Sequence, residues 1–134
     1  MMPLLFFAAA SADLDALDQA VARCDRHIAN PVFSGEAARR SSFLLDAYKE
    51  QAGIVADRLA LADQQRALRE ATDLKPAEIK QTQKQLDLQQ AALDDRQKAL
   101  NDKRLLEAIR DDATDAMRRY FLMNCPAGGK ETAK

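Results

Sequence analysis

Leucine or isoleucine recurs every seventh residue at Ile79, Leu86, Leu93 and Leu100, and charged or amide side chains fill most of the intervals. That is the seam of a helix packed lengthwise on another helix. Pro76 stands where a first helical residue needs no N–H, Glu78 puts negative charge in the first turn, and no glycine or proline follows until Pro126. The pattern predicts one helix over 76–124, about 70 Å long at ~1.5 Å per residue. A helix of that length must lie against a second long helix.

Earlier in the chain, Leu14, Leu17, Val21, Cys24 and Ile28 follow helical spacing and share one face, which predicts a helix over 13–29. Asn30-Pro31 is expected to end it, and Asn30 to Gly35 to form the first connection. With Ser34 as its cap, a second helix is predicted over 35–71. Its first half is richly apolar, with Phe43, Leu44, Leu45, Tyr48, Ala52, Ile54, Val55 and Leu59. Gly53 is tolerated inside it at about 1 kcal/mol relative to alanine. Thr72-Asp73-Leu74-Lys75 is a short turn, and short turns join antiparallel neighbours.

Folding about that turn pairs Leu68 with Ile79, Leu61 with Leu86, Ile54 with Leu93 and Ala47 with Leu100. Gln83, Gln90 and Gln97 fall halfway between the leucines, so the seam near the turn is narrow and wet. Farther from the turn, Leu105, Leu106, Ile109, Met117, Tyr120, Phe121 and Leu122 offer more apolar surface than two helices need. The first helix is the expected third member. The predicted fold is therefore all-α: a long antiparallel helical hairpin with a coiled-coil-like arm, and a short N-terminal helix packed at its open end to make a three-helix base.

The chain ends change this picture at one point. Pro3 to Ala10 is a short apolar run, and Ala10-Ser11-Ala12 has the small-x-small form of a signal-peptidase site. Residues 1–12 are thus expected to be a signal peptide, its basic residues encoded upstream of Met1, with a mature chain starting at Asp13. The helical domain would cover 13–125 and a flexible tail 126–134. The apolar run is too short to cross a membrane as a helix, so no transmembrane segment is expected in the mature chain. Export makes the two cysteines, Cys24 and Cys125, a disulfide pair. Two unpaired buried thiols are the alternative if export fails.

Charge and chemistry narrow the function. Lys and Arg number 20 against 21 Asp and Glu, without a block of one sign, which disfavours nucleic acid. His27 is the only histidine, and it sits among charged neighbours with no activated serine. Cys24, His27 and Cys125 could make a Cys-His-Cys metal site, but a disulfide uses the same sulfurs more simply. The acids Glu107, Asp94-Asp95 and Asp111-Asp112 have the spacing of a solvated helical face, and Gly128-Gly129 belongs to the tail. No catalytic residue, cofactor, metal or small-molecule substrate is expected. The expected function is that of a non-enzymatic, exported helical binding or scaffold protein, periplasmic or secreted, acting on a protein partner or by self-association as a homo-oligomer. The alternatives are a small secreted inhibitor of an envelope hydrolase and, behind it, a Cys/His metal-binding or redox protein.

Overall fold

A computed structural model describes residues 3–126, with side chains from Asp13 onward. Three α-helices make up this part of the chain: α1 Pro3–Ala22, α2 Arg26–Glu70 and α3 Pro76–Asn124, with α2 packed on α3 and on the shorter α1. There is no strand among the described residues. The bounds of α3 are those predicted. Lys75 is its N-cap, with its carbonyl accepting from the Ile79 N–H at 3.0 Å and its own N–H reaching the Glu78 carboxylate at 3.3 Å. This is the return half of a capping box. The expected tail begins at Pro126 and otherwise lies outside the described residues. Of the expected signal peptide, residues 3–12 are backbone helix continuous with the rest of α1. The chain divides into two compact units, one formed by residues up to Ser41 with those from Leu106 on, the other by Ser42–Leu105.

In the first unit the predicted connection is displaced. Asn30 to Gly35 is not a loop; the break falls at Arg23–Asp25, and α2 runs through Pro31. Two hydrogen bonds close the end of α1: the Asp25 N–H to the Ala20 carbonyl at 2.8 Å and the Cys24 N–H to the Val21 carbonyl at 3.1 Å. They form a Schellman motif whose left-handed residue, normally glycine, is Cys24 at φ 54°. Asp25 then opens α2, accepting from the Ala29 N–H at 3.0 Å. Ser34 is not a cap but bonds back to the Asn30 carbonyl at 2.9 Å inside the helix.

Pro31 lies in the second turn on an exposed face, where its missing N–H removes only the bond to the carbonyl of exposed His27. Packing outweighs the local breaker. Ala29 is fully buried with Leu17, Val21, Phe121 and Cys125, and Val32, Phe33 and Met117 close over that cluster. The Phe33 and Phe121 rings sit 5.7 Å apart, tilted by 54°, and the Arg26 guanidinium lies 5.3 Å from the centre of the Phe121 ring. Ile28, expected on the α1 face, belongs to α2 and is 45% exposed.

The second unit is the helical hairpin itself, turning through residues 71–75. Leu61, Leu68, Leu86 and Leu93 form one buried cluster, and Ala47, Ile54 and Leu100 form another with Phe43 against it. Leu61 with Leu86 and Ala47 with Leu100 are therefore grouped as predicted. Ile54 instead clusters with Leu100 rather than Leu93, and Leu68 with Leu86, while Ile79 is 37% exposed. In a knobs-into-holes seam each side chain fits between two partners one heptad apart, so heptad phase alone leaves a choice of neighbour. The intervening positions are polar, as expected. Gln51 and Gln97 exchange amide hydrogen bonds of 2.9 and 3.0 Å, and Arg104 donates to the Gln51 carbonyl oxygen at 3.2 Å. A Cβ on Gly53 would lie 3.4 Å from Arg96 Nη2, an ordinary contact with the tip of a long side chain, and Arg96 crosses at that point to Glu50 (3.0 Å) and Asp57 (2.7 Å).

Candidate interaction surface

The two cysteines singled out by the sequence are brought together. Their sulfurs lie 2.07 Å apart, at disulfide distance, with the Cα atoms separated by 5.4 Å. Cys24 reaches this position because the left-handed cap turns the chain sharply at the end of α1, and Cys125 because it directly follows α3. A bond here closes a loop of about 100 residues, a constraint of up to ~4–5 kcal/mol on the chain-entropy account. With the sulfurs committed to each other, Cys24, His27 and Cys125 do not form a thiolate–imidazole ligand set, and His27 is exposed. No group of three His, Cys, Asp or Glu placed to hold a metal ion occurs among the described residues.

A charged cluster in the first unit was not legible beforehand. Arg39 donates to both oxygens of Glu36 (3.1 and 2.8 Å), to Asp111 at 2.6 Å and to Glu107. Arg40 adds Asp115 at 2.8 Å and Asp111 at 3.2 Å. The acids of α3 recur every fourth residue and meet an arginine pair on α2. Glu36 is nearly buried at 8% exposure. The hydrogen bond from Arg39 holds its carboxyl below the usual range against the opposing cost of burial, with Arg40 and Arg110 adding to the effect. Asp115 is likewise lowered, chiefly by Arg40. Every carboxylate here already has a cation, so the cluster is a clasp between helices rather than an open acid–base site.

The surplus apolar surface, expected to lie under α1, is instead largely exposed. On α2, Leu45, Tyr48, Ala52, Val55, Leu59 and Ala62 repeat at alternating three- and four-residue intervals, and all are exposed. Tyr48 is 70% exposed and Leu59 65%. This stripe is the seam of the hairpin advanced by one residue, so it faces about 100° away from the buried one. On α3, Leu106, Ile109, Ala113, Ala116, Tyr120 and Met123 repeat in the same way, exposed except for half-buried Ala113. Each is a second coiled-coil face on a helix that already uses its first. Exposed apolar stripes rimmed by polar residues often mark interaction surfaces. No described helix is long and apolar enough to cross a membrane. Compared with known proteins, the chain matches no family model, no curated protein and no solved structure.

Proposed function

We propose that this chain is a non-enzymatic helical binding protein of the cell envelope, exported and acting through its helical surface on a protein partner or on a second copy. The observation that carries the proposal is the pair of exposed heptad stripes, whose spacing fits another helix and whose chemistry fits burial. Export is supported by the apolar run before Ala10-Ser11-Ala12 and by the cysteine pair at disulfide distance, a bond that persists in oxidising compartments. The test combines cell fractionation with affinity capture from the envelope fraction. The expected result is a processed chain in that fraction with a protein bound, and loss of the bound protein when Leu45 and Leu59 are replaced by glutamate. A chain retained unprocessed in the cytosol would refute export. Capture unaffected by the two glutamates would refute binding through the α2 stripe.

A further inference from the structure

We infer that a second copy of this chain covers the α2 stripe, packing it antiparallel against itself about a two-fold axis between Ala52 and Val55. This deepens the binding function proposed above by naming the partner. The order of residue sizes fits a two-fold relation. An antiparallel pairing centred there sets Leu45 against Ala62, Tyr48 against Leu59 and Ala52 against Val55 of the second copy. Two of these three layers join a large side chain to a small one, and the third places an aromatic ring on a leucine. As in any antiparallel self-pairing, each layer is repeated by the two-fold, so the interface closes and is isologous. The stripe is free of charge from end to end.

Charges at its margin speak against a membrane or nucleic acid as the occupant. Lys49, Asp63 and Arg66 are of mixed sign, and Arg66 pairs with Asp63 of its own chain at 3.0 Å. An anionic lipid surface or nucleic acid would call for a basic margin. The area is also sufficient. Leu45, Tyr48, Val55 and Leu59 of the stripe, and Leu44 beside it, are 47–70% exposed. They leave on the order of 500 Å² of apolar surface per copy, so two copies would bury about 1,000 Å², at the lower edge of specific interfaces. A reversible dimer of roughly micromolar affinity is the expected consequence. The α3 stripe is less suited, since its centre is Ala113 and Ala116 and the first of these is already half-buried.

Sedimentation equilibrium over a wide concentration range tests this on the oxidised chain. A monomer–dimer equilibrium is expected, weakened about 100-fold or more by Tyr48→Glu with Leu59→Glu and unchanged by Leu106→Glu with Ile109→Glu. Both variants alter exposed positions, and circular dichroism with thermal melting confirms that each remains folded. Mixing Tyr48→Cys with Leu59→Cys chains should give a mixed crosslink well above either self-crosslink. A monomer up to about millimolar concentration overturns the inference but leaves binding to another protein untouched, since capture tests that separately. A dimer insensitive to the stripe substitutions, or a predominant self-crosslink at position 48, also overturns it.

Discussion

Cys24 holds a left-handed backbone conformation that a cysteine seldom adopts, and its Cα lies 5.4 Å from that of Cys125. One residue thus ends α1, aims its sulfur at the end of α3 and ties the chain near both extremities. A non-glycine residue in that conformation costs about 1–2 kcal/mol, which the covalent constraint offsets.

Replacing both cysteines with serine should therefore destabilise the chain by up to ~4 kcal/mol. For a domain of this size that is about 15 °C in melting temperature. Thermal unfolding followed by circular dichroism, with and without reductant, measures it. A reduced wild-type chain should melt close to the double variant, and identical melting of the oxidised and reduced chains would show that no bond contributes.

Acid should loosen the clasp around Glu36. Its carboxyl titrates below the usual range in the folded chain, so the stabilisation is complete above the unfolded value near 4.5 and disappears as pH falls through the folded value. Asp115 acts in the same direction from its ordinary value of 3.8. Urea unfolding should show stability falling as pH is lowered below about 4.5, and Glu36→Gln should flatten part of that slope. At neutral pH the substitution should cost about 1–2 kcal/mol, kept modest because the arginines are partly in water. An unchanged slope would mean that Glu36 is not held by Arg39 in solution.

The hairpin register separates two pairings that heptad phase treats alike. Cysteines at Leu68 and Leu86 should crosslink faster than cysteines at Leu68 and Ile79, because Leu86 shares the buried cluster of Leu68 and Ile79 does not. Ile54→Ala should cost about 2–4 kcal/mol, since Ile54 is fully buried. Faster crosslinking to position 79 would restore the pairing that the sequence alone predicts.

These contrasts show what the sequence carried. The bounds of α3 were legible because Pro76, Glu78 and Pro126 are local signals that tertiary packing does not contradict. The hairpin was legible because a short turn and a seven-residue repeat point to the same fold. The end of α1 was not, because Cys24 fills a place where glycine would have announced the cap. Asn30-Pro31 misled for the opposite reason: a strong local breaker is overridden when Ala29, Val32 and Phe33 pack beside it. The Glu36–Arg39–Asp111 cluster depends on which faces meet across two helices, information absent from either helix alone. Leu45, Tyr48, Val55 and Leu59 are legible as apolar, but their exposure is set by packing that the sequence does not display.

The α2 stripe is proposed to be a protein-binding face in the cell envelope. Site-specific photocrosslinking in living cells tests it most directly, with the photoreactive residue placed at Leu59 on the stripe or, as a control, at exposed Asp87 on α3. A discrete protein adduct in the envelope fraction is expected from position 59, to a second copy or to a client, and none from position 87. Equal or absent adducts at the two positions would contradict it.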